Sequence, residues 1–336
     1  MKNAKQTSVL IFASIALLVL ILDAKTAYSG AYSGIHLCIN SFIPTFLPFI
    51  ILTRLICSQP ENKHKLFFSP LEKVSKIPTG SSRIMLLGFI GGYPLGAQCI
   101  EDAYNRGELE LHEAKRMLGF CSNAGPAFIF GVLGPLFDSL IVPLWLLIIH
   151  IFSAVLVSII LPKNTVGTLN PQRKENSSIT EVIESSVRTV SVICCWIILF
   201  RIIIEFINKW ILFRAPAFVK ILLFGTLELT NGIYSLSGVS CLGMRFVLAS
   251  FMLGFGGLCV CIQTLSCTRK TGPGMYLPGK FLQSILSALF AYITQCFLFN
   301  TNESIKIPLI FIMLASTIFV VFCIFLRGNK KVVAFT

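Results

Sequence analysis

Three groups of polar residues stand where an apolar chain should exclude them. Gly91, Gly92, Tyr93 and Pro94, with Gln98 just beyond, interrupt the run LLGFIGGYPLGAQ. Asn123, Gly125 and Pro126 open CSNAGPAFIFG, and Glu228, Thr230 and Asn231 lie together in GTLELTNGIYS. Carboxamides offer donors and an acceptor at once, so they suit a neutral polar ligand such as a base or sugar better than a lone ion. A carboxylate among apolar neighbours in a membrane segment marks a functional position by default. Glu228 there can carry a proton, pair with Arg201, or sit at a helix end. Arg201 can equally pair with Glu205, four residues on. Taken singly, each polar residue also fits interhelical hydrogen bonding or close packing; as a set they point to a ligand-binding site.

Catalysis has little support. The histidines His36, His64, His112 and His150 are far apart, and no HExxH, GxSxG, Walker or GxGxxG pattern occurs. Most of the 12 cysteines lie in apolar runs without CxxC pairs or zinc spacing, which makes them small packing residues. The chain therefore reads as a non-enzyme, with no cofactor and no metal site.

These residues must be positioned by membrane helices. The chain is 55% hydrophobic and 13% charged, about half the charged fraction of a soluble domain, roughly 25%. Apolar runs recur at a length that crosses a hydrocarbon core as helix, and the short alternating strands of a membrane barrel are absent. The expected fold is an all-α polytopic membrane protein and the expected location a cell membrane, so the lipid bilayer is the first partner. The net charge of +13 gathers in short loops such as Lys73–Lys76 and Arg173-Lys174. That is the positive-inside pattern and requires no nucleic acid. Lys2 and Lys5 before Ser8–Leu22 read as a first span rather than a signal peptide.

Ten apolar segments are expected within one membrane domain, 1–336: 8–28, 35–57, 84–104, 114–136, 139–161, 187–212, 216–238, 246–268, 281–299 and 305–327. A polar linker, 162–186, separates a first repeat, 35–161, from a second, 187–327. Gly-Gly-Tyr-Pro at the centre of 84–104 is a strong turn signal and predicts a re-entrant hairpin. The second Gly-Gly pair, Gly256-Gly257, predicts another in 246–268. Gln98 follows Gly92 by six residues and Gln263 follows Gly257 by six. PFIILTR against WIILFR aligns Arg54 with Arg201 more weakly. Duplicated halves with broken segments point to a transporter-type site near mid-membrane. By charge both hairpins open to the cytoplasm; strict inversion puts the second outside. The topology stays open at this level.

The motifs GFIGGYPLGAQ, RGELELHEAKRMLGFCSNAGPAFIFG, LELTNGI and GGLCVCIQ resemble the YlbJ-type sporulation integral membrane proteins, of the nucleoside-recognition (Gate) group. The resemblance covers about residues 35–327. It implies a mother-cell or forespore membrane protein of endospore formers, similar to the core of concentrative nucleoside transporters, where two hairpins meet near the ligand. The matching positions are Gly91-Gly92-Tyr93-Pro94, Gln98, Asn123-Ala124-Gly125-Pro126, Glu228, Gly256-Gly257 and Gln263. Cys259 stands where the family pattern has serine, which weakens any hydroxyl contact there. One functional expectation is binding or transport of a small polar, nucleoside-like solute, coupled to H+ or Na+. The other is a non-transporting scaffold that assembles sporulation membrane proteins.

Overall fold

The computed structural model describes residues 2–58, 69–162 and 178–299. The expected span 305–327 and most of the expected linker lie outside the described residues. The described residues are helical, with no β-strand. In chain order, α1 (Lys2–Leu22) precedes α2 (Ala24–Leu37), which runs through a π-helical turn, Cys38–Phe42, into α3 (Ile43–Ser58). The short α4 (Ser69–Ser75) leads to α5 (Ser82–Gly91) and α6 (Leu95–Asn105). Helix α7 (Leu111–Cys121) stops, and α8 (Pro126–Phe128) resumes and continues by irregular turns to Leu136. After α9 (Ile141–Ile160) come α10 (Ile179–Trp210), α11 (Ala217–Leu227) and α12 (Leu229–Ser235). The last described helices are α13 (Leu242–Phe255), α14 (Gly257–Cys267) and α15 (Tyr276–Leu298).

Among the described residues six stretches are long and apolar enough to cross a bilayer: Ala24–Leu55, Leu111–Leu136, Ile141–Ile160, Ile179–Trp210, Leu242–Cys267 and Tyr276–Leu298. They mark a multi-pass helical membrane protein. Helix α10 begins at Ile179 rather than near 187, because Ser178 and Glu181 form a reciprocal capping box that satisfies the first free amides. At its far end Lys209 pairs with Asp23 at 2.6 Å, and that bond holds the Asp23 carboxyl below its ordinary pKa.

One order of elements occurs twice: a long helix, a short helical hairpin, an interrupted helix and another long helix. It runs α2–α3, α5/α6, α7/α8, α9, and then α10, α11/α12, α13/α14, α15. The hairpins close on small residues. Gly88 and Gly96 face one another across α5/α6 and both lie on the Cys121 carbonyl, where a Cβ on either would strike it. Gly225 and Gly232 bring α11 and α12 into backbone contact. Small residues permit such approach when bilayer lipid supplies no hydrophobic force between helices.

The second Gly-Gly pair does not fold into the expected hairpin. Helices α13 and α14 part at Gly256; both touch α11 and α12, but α13 packs chiefly on α15 and α9, whereas α14 reaches α10 and α6. Gly256 and Gly257, at φ of 80° and 84°, redirect the chain without reversing it. The reversal in this half lies in the expected span 216–238 instead. There Glu228 is extended (φ −145°, ψ 122°), and its carboxylate accepts the Thr230 and Asn231 amides. A side-chain cap starts a new helix directly after the old one ends, so 217–238 folds back on itself.

Gly88→Val should destabilise the protein by roughly 1–3 kcal/mol or more, the scale of overpacking, because the clash is with backbone. Gly238→Val, where nothing lies within 4 Å of an added Cβ, should change little. Thermal unfolding of the full chain in detergent measures both; equal behaviour of the two variants would contradict the packing described.

Candidate functional site

The first hairpin tip meets both helix breaks, and the second tip meets the break of its own half. At the first tip, Gly92 has φ of 75°, and a Cβ there would lie 3.0 Å from the Gly125 amide nitrogen. Tip and break of the first half thus touch through two glycines. Tyr93 then crosses to the other half. Its hydroxyl donates to the Leu253 carbonyl at 3.2 Å, among the last of α13, and its ring stands 3.2 Å from where a Gly256 Cβ would be. Carbonyls at a helix end lack helical partners, so the first tip helps satisfy the break of the second half. At the second tip, Gly257 lies against the Leu229 amide, at 3.2 Å from an added Cβ.

Between the two tips and the first break is a cavity of about 30 Å³, lined by Tyr93, Gly125, Glu228, Thr230 and Gln263 together with Phe42, Phe46 and Phe128. It holds roughly one or two water molecules. A larger, partly open cavity of about 430 Å³ lies beside it and shares Ile193 and Gln263 in its wall. Gln98, Pro94, Thr189, Trp196 and three arginines, Arg54, Arg188 and Arg269, also line it, with no acidic side chain. This volume is on the scale of small-molecule sites, roughly 300–1,000 Å³.

The expected site residues divide between lining and holding. Tyr93, Gly125, Glu228, Thr230 and Gln263 line the small cavity; Pro94 and Gln98 line the larger one. Pro94 follows a cis peptide bond and caps α6. Gly91, Gly92, Gly256 and Gly257 shape the backbone, and Pro126 begins α8. Asn123 and Asn231 line neither cavity; both are committed to protein partners. Asn231 Nδ2 donates to Glu228 at 2.8 Å, and its Oδ1 accepts from Arg201 at 3.0 Å. Arg201 therefore reaches Glu228 through Asn231 and also pairs with Glu205 at 2.9 Å. In the first half Arg54 bonds Gln98 Oε1 at 2.9 Å. The Arg54–Arg201 alignment thus has a structural counterpart: each arginine, from the helix preceding a hairpin, binds an amide on that hairpin's return arm.

Sequence reasoning missed a buried polar cluster behind the first tip. Lys280 Nζ donates to Asn123 Oδ1 at 2.9 Å and Gln283 Oε1 at 2.7 Å. Gln283 Nε2 donates to Asn123 Oδ1 at 2.9 Å and the His150 carbonyl at 3.2 Å. His150 Nε2 accepts the Ala124 amide at 3.0 Å, freed by the break in α7. Lys280 lies just before the expected span 281–299. The signal was Gln283, three residues on and one helical turn away, which puts both on one face. Among the described residues no group of three His, Cys, Asp or Glu side chains could hold a metal ion.

Comparison of the chain with family models, curated proteins and solved structures finds no match to any of them.

Tyr93→Phe should cost about 1 kcal/mol, one hydrogen bond's net worth. Asn123→Leu should cost about 2–3 kcal/mol or more, since it strands buried Lys280 and Gln283. Denaturant unfolding in detergent checks the order; an Asn123 variant as stable as Tyr93→Phe would show that the cluster contributes little.

Proposed function

We propose that this protein is a membrane carrier with a Gate-type core that binds a small polar solute between two hairpin tips. The observation that carries the reading is convergence: both tips, the first break and α14, which follows the second break, line a single cavity whose wall continues into a larger one through Gln263. Irregular backbone at membrane depth is tolerated where it is buried or lines a hydrated cavity, and discontinuous helices at a repeat interface are how transporters build midplane sites.

The two halves are, in this reading, inverted copies. If the six long helices cross in turn, the connectors before α7, between α9 and α10, and between α14 and α15 share one side. Their basic residues include Lys73, Lys76, Arg173, Lys174, Arg269 and Lys270. The connector 137–140, with Asp138, and the segment 211–241 share the other. The positive-inside rule makes the first side cytoplasmic. The α5/α6 hairpin then enters from the cytoplasm and the α11/α12 hairpin from outside, and charge and inversion agree. Their conflict in the sequence came from assigning the second hairpin to Gly256-Gly257.

The arginine-lined wall opens on the cytoplasmic side. It favours a solute bearing an anionic group, as a nucleotide does, over a wholly neutral nucleoside. The motif resemblance to YlbJ-type sporulation proteins supports such a carrier in the membranes of a sporulating cell.

Purified protein in nanodiscs should bind a member of a panel of labelled nucleosides, nucleotides and small carboxylates in a saturable way. Arg188→Ala or Arg269→Ala should weaken binding of the anionic members roughly tenfold, the loss of one charge-assisted hydrogen bond. Glu228→Gln and Gln263→Leu should abolish uptake into proteoliposomes. If nothing in the panel binds and both latter variants support normal sporulation, the carrier reading fails in favour of the scaffold.

A further inference from the structure

Lys280 has no part in the carrier scheme as drawn, yet it is fully buried near the start of α15. No acidic side chain among the described residues pairs with it. Its ammonium meets oxygens and π faces instead. Asn123 Oδ1 and Gln283 Oε1 accept from it, and the rings of Tyr93 and Tyr276 lie 5.3 Å and 6.0 Å away. The amide orientations are set by their other ends: Asn123 Nδ2 donates to the Phe120 carbonyl at 2.6 Å, and Gln283 Nε2 to the His150 carbonyl at 3.2 Å. Both amide oxygens are thereby turned toward the ammonium. The titratable neighbours are His150 from α9, which accepts the Ala124 amide, and Tyr93, Tyr276 and Cys121. Amide oxygens and aromatic faces without a carboxylate form the environment of a desolvated monovalent cation.

The position of this cage matters as much as its chemistry. Asn123 lies in the break of α7, two residues before Gly125, on which the first tip rests. Tyr93, over the ammonium, is itself the tip. A cation here steadies the contact between tip and break, which is the place a coupling ion would have to act.

We propose that the Lys280 ammonium is a resident cation that stands in for a bound Na+ at the break of α7, so that the protein has no sodium requirement. This deepens the carrier reading, on which its meaning rests: with the cage filled covalently, Na+ is not the coupling ion.

The test needs no solute. Thermal unfolding of the full chain in detergent is compared in NaCl and choline chloride at equal ionic strength. Wild type should unfold at the same temperature in both and show no saturable binding of radioactive Na+. Lys280→Ala should unfold at lower temperature in choline and recover part of the loss in NaCl, saturably, because the vacated oxygens now take the ion. Lys280→Met, which fills the space with an apolar chain, should be destabilised without recovery. Saturable Na+ binding to wild type, or a folded Lys280→Ala indifferent to Na+, overturns the proposal. Should Lys280→Ala fail to fold, the wild-type binding measurement decides alone. Na+ binding to wild type would leave the carrier reading intact, whereas a failed solute panel would leave the cation assignment intact.

Discussion

Helix breaks inside a bilayer govern this structure. Each break frees backbone amides and carbonyls where no water can take them, and each freed group left unpaired costs several kcal/mol by order of magnitude. The partners come from side chains that a sequence reading would assign to ligand. Glu228 accepts the first amides of α12, His150 accepts the Ala124 amide, Asn123 donates to Phe120, and Tyr93 donates to Leu253. Polar residues in the apolar runs thus hold the breaks open in the first instance.

That division separates two layers of the site. The tips and breaks form an inner layer of glycines and committed amides around about 30 Å³. Outside it, Gln98, Gln263 and the arginines border a cavity of about 430 Å³. The tips meet the breaks through glycine backbone at Gly92–Gly125 and Gly257–Leu229, and through the buried Tyr93 side chain, which crosses to Leu253 and Gly256. The outer ends are bonded as well. Glu101 on α6 accepts the Lys270 and Thr271 amides and the Thr271 hydroxyl at 2.7, 3.1 and 2.6 Å. Arg116 on α7 binds the Ser75, Lys76 and Ser158 carbonyls. The first hairpin is thus bonded both at its base, through Glu101, and at its tip, through Tyr93.

The first hairpin was legible because Gly-Gly-Tyr-Pro signals a turn by composition alone. The second was misplaced because Gly256-Gly257 carries the same local signal. Positive φ permits a reversal but does not impose one; what reverses the chain at Glu228 is a carboxylate capping a new helix, a signal that looked like a ligand. Lys280 was hidden by its place at the edge of an apolar run, where a snorkelling lysine is the ordinary expectation.

The sequence by itself determined that this is a helical membrane protein, that its basic residues gather in the connectors, and which residues interrupt its helices. Those properties follow from hydropathy, charge and backbone preference, which act locally. Only the tertiary structure decided which interruption turns the chain back and which lets it pass. It also decided which polar side chains satisfy backbone and which face a cavity, and that Lys280 lies behind Tyr93. These depend on residues 100 or more positions apart meeting in space, as Tyr93 with Leu253 and Asn123 with Lys280 do, and no local preference encodes such a meeting.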